Sequence, residues 1–540
     1  MRAIPLAGMR WMRQAAQGCA ALLAAAWEWS RRLPGRMYAA RREIVRRTLF
    51  FSALVLIAAF WGLAIVVMEI NAFIMAFSLI ACVLILYDFR FGVVLLIVLM
   101  PISSSVLFPH EMFGVTGINP INLLLTMTLL SYALKSAFRP GVGSFIPSWQ
   151  LVAYVAVILA AGALGTRHVS EIPAYINLLG LDSFDDAGSY VRDAVAKPLF
   201  LVLFALLTAA AVRESANPER FLVPMLISIW LMGLMVVAYF FATGVHLGDL
   251  ANERARNFLS PLGMHANNLA RLYVTAYAVL LFMWLQWDGF LMRLLLLASM
   301  ALVAVALLLT FSRAGFIAFI VVNAIFLWRQ RQSVLLFFGA LVGVVAVMVM
   351  PGAIGYRLTA GFGQGADAIS AGRVDEIWAP LLPEILHSPI YGQGLSSILW
   401  SDAMKAQAIL AVDHPHNAYL GALLDTGIIG LIVMLVFFWS VLRGFWKLSV
   451  ADSLSGLQRA FFGGAAAGLI AFLIVGMSGS KLTPAPEQSI LWFAIGMMYG
   501  YFWPGKSKDL PDAADAAKSE DGPQPPYPAT AGTGAYGRIH

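Results

Sequence analysis

The chain has 540 residues, of which 60% are hydrophobic and only 12% charged, with a mean hydropathy of +0.80. Such a balance excludes an ordinary soluble globular protein and a nucleic-acid-binding surface, and it describes a protein whose solvent is largely lipid. The formal net charge of +7 has a local origin, because residues 1–48 alone hold ten arginines against Glu28 and Glu43.

That N-terminal stretch, 1–48, reads as a basic cytoplasmic tail held against anionic lipid. The apolar run at 18–27 is followed by Arg31 and Arg32 without a small-residue cleavage site, so a signal peptide is not expected. Cys19 and Cys82 are the only cysteines, too few for a disulfide framework or a Cys-based metal site. From Phe50 onward, apolar runs of the length needed to cross about 30 Å of hydrocarbon alternate with charged or turn-rich breaks. They predict an all-α polytopic transmembrane helix bundle, because a lipid-exposed segment must satisfy its backbone groups internally.

Expected spans fall near 49–67, 72–88, 91–107, 120–137, 149–165, 195–212, 221–243, 266–286, 291–311, 314–328, 333–350, 418–442, 461–478 and 489–504. About fourteen spans result, with 12 to 16 plausible. Residues 49–219 form an N-terminal helical region. With the N-terminus inside, Arg90, Lys135, Arg139, Arg213, Arg220, Arg329, Arg331, Arg443, Lys447 and Arg459 fall on inner connections, as short cytoplasmic loops require. The segment 506–540 is rich in Pro, Ala, Gly and charge and is expected to be a disordered cytoplasmic tail.

Three outer segments are long: 166–194, 244–265 and the extracytoplasmic loop 351–417, which is expected to fold as short helices. Arg254, Arg256, Arg271, Arg313, Arg357 and Arg373 break the inner-positive pattern. An arginine near a helix end can snorkel to headgroups. Loop 351–417 is net acidic, however, so its arginines point instead to a specific anion, and a planar guanidinium suits a diphosphate. Seven of the eight histidines also fall on the outer side. Of these, His414 and His416 precede a membrane helix, where an imidazole can act as a base near neutral pH. No Cys, Asp or Glu set at metal-ligand spacing accompanies them.

Residues 414–430, HPHNAYLGALLDTGIIG, carry His416-Asn417 and then Gly427 and Gly430 in a G-x-x-G. This resembles the signature of the O-antigen ligase and polysaccharide polymerase superfamily. TFSRAGFIAF, with Ser312 and Arg313, is similar to the family's Ser-Arg motif. AGRVDEIWAPLLPEILHSPIYGQGLSS, with Arg373, Trp378, Pro389, Gly392 and Gly394, is similar to its outer-loop pattern. RNFLSPLGMHANNLARL adds Arg256 and Asn267 or Asn268. The likeness extends over roughly 220–505 and rests on the order of the motifs.

The resemblance implies a metal-independent, cofactor-free glycosyltransferase of the bacterial inner membrane, with both termini cytoplasmic and its site facing the periplasm. The donor would be a glycan on polyprenyl diphosphate and the acceptor a lipid or a glycan. His416 would be the base, and Arg256, Arg313 and Arg373 would hold the diphosphate. Asn417, Gly427, Gly430, His414 and Arg254 would support them, Asn417 by capping a short helix 418–425 that Gly427 ends. A transporter or flippase of lipid-linked glycans is the alternative. It would scatter charge at mid-span and show corresponding halves, neither of which the sequence offers.

Overall fold

The structure is a computed structural model. It describes residues 70–109, 111–112, 115–116, 119–138, 148–179, 183–246, 249, 254–330, 363–409, 412–479 and 481–502, with isolated positions 21, 52, 352, 355 and 359. The contacts divide the chain into two compact units, Met1–Val83 and Leu84–His540. In the first, the described residues are chiefly the start of the helix Ile70–Tyr87.

The second unit is helical, apart from one two-residue antiparallel pairing of Glu111–Met112 with Val115–Thr116. Its long helices are α1 (Phe89–Leu99), α2 (Pro120–Phe138), α3 (Trp149–Gly165), α4 (Lys197–Glu214), α5 (Leu222–Thr243), α6 (Ala266–Trp284), α7 (Phe290–Leu309) and α8 (Arg313–Gln330). After the loop come α9 (Ala418–Ser449), α10 (Gly456–Gly476) and α11 (Ser489–Phe502). Among the described residues, six helical segments are long and apolar enough to cross a membrane. The expected spans 49–67, apart from Ser52, and 333–350 lie outside the described residues, as do both tails apart from Ala21. The expected span 91–107 is shorter in the structure, since Pro101 lacks an amide proton and α1 gives way to a 3-10 turn there.

The centre of the bundle is α6 against α10. Gly464 of α10 faces the backbone of Ala278 and Val279, where a Cβ would not fit, and Gly468 lies close against Thr275, so the two helices approach closely. α4 packs on α11, and α3 on α9. Charged ends gather by side. Lys135 pairs with Glu214 (2.5 Å), and Arg90 binds Asp88 and the Glu214 carbonyl, which joins three of the predicted inner connections. At the other end Lys405 pairs with Glu171 (2.6 Å), Tyr175 donates to the Met404 carbonyl (2.6 Å) and Tyr190 to that of Leu395 (3.0 Å). Two of the predicted outer segments thus meet.

Candidate active site

The loop between α8 and α9 folds, where described, as a series of short helices: Ala366–Ser370, a π turn Val374–Trp378, Ala379–His387, a 3-10 turn Ser397–Trp400 and Asp402–Lys405. It is fastened to α9 at a break in that helix. Gly427 sits at φ +65, ψ −173, a conformation open to glycine and costly for any residue with a Cβ. A Cβ there would also strike the backbone of Ile390 and Tyr391. The break frees backbone groups that the loop then satisfies. Ile428 N donates to Pro389 O (2.9 Å), while Gln393 N and Gly394 N donate to Leu424 O (2.9 Å) and Asp425 O (3.0 Å). A buried backbone group left unpaired would cost about 1–3 kcal/mol, so the glycine and the loop turn support each other. Gly430, one turn on, is packed under the Thr426 side chain.

The short first part of α9 begins at Asn417, whose Oδ1 accepts from Tyr419 N (3.0 Å) and Leu420 N (3.1 Å), the cap expected from the sequence. His416 precedes it at φ +52, a left-handed conformation that a non-glycine residue adopts only when its surroundings fix it. Trp378 Nε1 donates to the carbonyl of Pro415 (2.8 Å) and ties the π turn to this bend.

Three imidazoles meet here. The ring centroids of His414 and His416 are 4.2 Å apart, and His265 lies 5.8 Å from His416 and 6.5 Å from His414. His265 caps α6, its Nδ1 accepting from Asn267 N (3.3 Å). His414 Nδ1 donates to the Asp413 carboxylate (2.7 Å). Burial opposes ionisation of that carboxyl, yet the hydrogen bond and charge of His414 and the charge of Lys481 hold it well below the usual carboxylate range. His416 is pushed the other way. Burial comes first, followed by the charges of His414, Arg373 and His265, and together they lower it to about 3 against the pull of Asp413. His416 is therefore a neutral imidazole at pH 7, with Nδ1 buried and without a hydrogen-bond partner among the described residues.

The predicted arginines are placed unequally. Arg373 opens the π turn and acts on His416 through its charge. Arg313, at the start of α8, donates from Nη1 to the Ile369 carbonyl (2.9 Å), which holds it to the helix just before Arg373. Arg256 is buried (9% exposed) in the 3-10 segment Arg254–Leu262 that leads toward His265. Arg254 begins that segment, and its side chain lies outside the described residues.

Sequence reasoning assigned no site role to Arg271. It is fully buried, its Nη1 donates to Lys481 O (2.7 Å), and its guanidinium stacks 4.3 Å from the Phe472 ring centroid. Gly476 and Gly479 leave it room. One signal was available: Arg271 follows Asn267 by one helical turn, on the same face of α6, and Asn267 Nδ2 also reaches across to the 478–481 segment, at Ser478 O (3.0 Å). His265 and Lys481 were likewise not singled out. Elsewhere, Glu384, His387 and Asp402 bring one potential metal-ligand atom each within 4.8 Å. Glu384 Oε1 already accepts from Ala403 N (3.0 Å), so this carboxylate has a structural duty in the loop.

The arrangement gathers three imidazoles at the capped start of α9, with the charge of Arg373 acting on His416. No curated protein matches the chain. The family model described as O-antigen ligase matches residues 298–435, from within α7 through the His416-Asn417 and Gly427/Gly430 motif, a narrower stretch than the 220–505 over which the resemblance was read. That match lies over Arg313, Arg373 and His416, so this part of the chain is similar to the O-antigen ligase family and supports the resemblance.

Proposed function

We propose that this membrane protein transfers a glycan from a polyprenyl-diphosphate carrier to an acceptor hydroxyl, working in the bacterial cytoplasmic membrane with its histidine site on the periplasmic side and both termini in the cytoplasm. The observation that carries the proposal is the cluster of His265, His414 and His416 at the Asn417-capped start of α9, with Arg373 acting on His416 through its charge. In the transfer, the acceptor oxygen attacks the anomeric carbon and its proton passes to His416. The bond from that carbon to the phosphate oxygen breaks, and its electron pair leaves with the diphosphate.

The leaving diphosphate gains negative charge as the bond breaks. Guanidinium groups already in place stabilise that charge more than they stabilise the bound donor, and this difference lowers the barrier. Arg313, at the start of α8, is hydrogen-bonded to the short helix that precedes Arg373, and Arg256 is the third holder. Their fixed charge supplies what a metal would otherwise provide, so the reaction proceeds without one. His414, oriented by Asp413, packs against His416 and keeps its ring from turning.

Purified protein in nanodiscs, given a polyprenyl-diphosphate oligosaccharide and either lipid A core or a second lipid-linked chain in the presence of EDTA, should yield a joined glycan and free polyprenyl diphosphate. Movement of the donor between leaflets with no new glycosidic bond would contradict the proposal and favour the transporter.

A further inference from the structure

A chamber of about 880 Å3 opens beside the histidine site. One wall comes from the family region and the segment after it: Ser396, Asp425 of α9 and Lys481. The facing wall comes from the N-terminal helices, which lie outside the family match: Asn119 and Asn122 at the start of α2, and Arg192 and Lys197 leading into α4. The chamber and the site share Lys481, whose charge acts on the Asp413 carboxylate that orients His414. Arg271 pins the Lys481 backbone in place.

The lining is chemically specific. Amides and hydroxyls supply neutral donors and acceptors, as a saccharide needs. Among the described residues that line the chamber the charges do not cancel, with Arg192, Lys197 and Lys481 against Asp193 and Asp425. Asp193 is already shared by Arg192 (2.9 Å) and Lys197 (2.6 Å), and Asp425 Oδ1 accepts from both the amide (2.9 Å) and the hydroxyl (2.8 Å) of Ser397. No hydrogen bond joins the Lys481 ammonium to a described residue. Arg192, Asp193 and Ala194 all reach the chamber because residues Val191–Ala196 form a π turn, a local widening that recurs at functional sites. A prenyl chain would strip water from these charges, and a neutral sugar would bring no anion to a lining that carries one more cation than anions. The volume falls in the range of ligand pockets and exceeds what one sugar ring fills.

We propose that this chamber is a subsite for an acidic sugar, a uronate or a phosphorylated residue, in one of the two glycans being joined, with the N-terminal helices setting the preference. It rests on the glycan-transfer reading above and adds a substrate class to it.

The test uses the full chain in nanodiscs with two soluble probes, a hexamer of galacturonic acid and maltohexaose. The acidic hexamer should bind at least about tenfold more tightly than the neutral one. Asn122→Trp, which fills the chamber, should weaken it by a similar factor. Lys197→Glu, on an exposed side chain and so a safeguard against misfolding, should abolish the preference, and Lys197→Arg should keep it. Equal affinity of wild type for both probes, or unchanged binding in Asn122→Trp and Lys197→Glu, would overturn the subsite. In transfer assays with an acidic glycan on each side in turn, a raised KM for the donor or for the acceptor in Asn122→Trp tells which of the two occupies the chamber. His416→Ala should bind the acidic hexamer as wild type does. A wild-type protein that binds the hexamer but joins no glycans would refute the transferase reading and leave the chamber standing.

Discussion

His414 and His416 place their imidazoles 4.2 Å apart at an interplanar angle of 64°, with one residue, Pro415, between them. His416 holds a left-handed backbone (φ +52) at this bend, which a non-glycine residue keeps only when its surroundings fix it. The proline carbonyl, held by Trp378, and the Asn417 cap fix the two ends of the bend. The pair is a rigid unit in which one ring is oriented by Asp413 and the other is left neutral.

Asp413→Asn should therefore lower kcat while leaving donor KM close to wild type. The amide cannot take the charge-assisted bond from His414, and a loss of about 1.5–3 kcal/mol translates to roughly 10- to 100-fold in rate. Steady-state kinetics with the lipid-linked donor check this, and an unchanged kcat would remove the orienting role.

Because His416 is held down to about 3, kcat/KM should stay flat on lowering the pH from 7 to 5, rather than falling through the ordinary histidine range near 6.5. The folded protein binds no proton at His416 over this interval, whereas the unfolded chain binds one below about 6.5. This residue's contribution to stability therefore rises with pH from about 3 to about 6.5 and is level above. An acid limb in kcat/KM at pH 6 to 7 in the wild type that disappears in His416→Gln would contradict the assignment.

Arg373→Gln removes a positive charge that disfavours the imidazolium, so the pKa of His416 should move up. The measurement is the histidine 15N chemical shift across a pH titration, which reads this electrostatic contact without any substrate. Arg373→Lys should leave the titration near wild type yet raise donor KM by about tenfold, because a point charge does not reproduce the guanidinium fork on a diphosphate. A titration that ignores Arg373→Gln would separate the arginine from the base.

Gly427→Ala forces a Cβ onto a left-handed position and against the Ile390 backbone. The conformational part alone costs about 1–3 kcal/mol, because a positive φ with an extended ψ is reached almost only by glycine. The steric part displaces the loop turn, so a lowered Tm in detergent should be accompanied by faster proteolysis between residues 380 and 400. Gly430→Ala, under Thr426, should lower Tm without opening the loop.

Much of this was legible in the residues. The cap at Asn417, the break at Gly427 and the helices from Trp149 to Gln330 follow from spacing, apolar length and punctuation, which are local properties. Span 91–107 was read too long because composition carried the run past Pro101, where the backbone does not continue. What the sequence does not carry is convergence at long range. Arg271 and Lys481 are 210 residues apart, and neither has a neighbour in sequence that reveals the other. The chamber is composed from ends of helices in both halves of the chain, so no single stretch of sequence contains its pattern. His265 was visible as an outer histidine, and only the folded chain brings its ring within 5.8 Å of that of His416.

The central claim is that His416 takes the proton of the acceptor hydroxyl during transfer. Single-turnover assay of His416→Ala in nanodiscs, with donor binding measured on the same sample, addresses it most directly. The account predicts donor affinity within about twofold of wild type and a transfer rate lower by about 10²-fold or more, the usual worth of a positioned base. Transfer at the wild-type rate in that variant, with the donor bound, would contradict it.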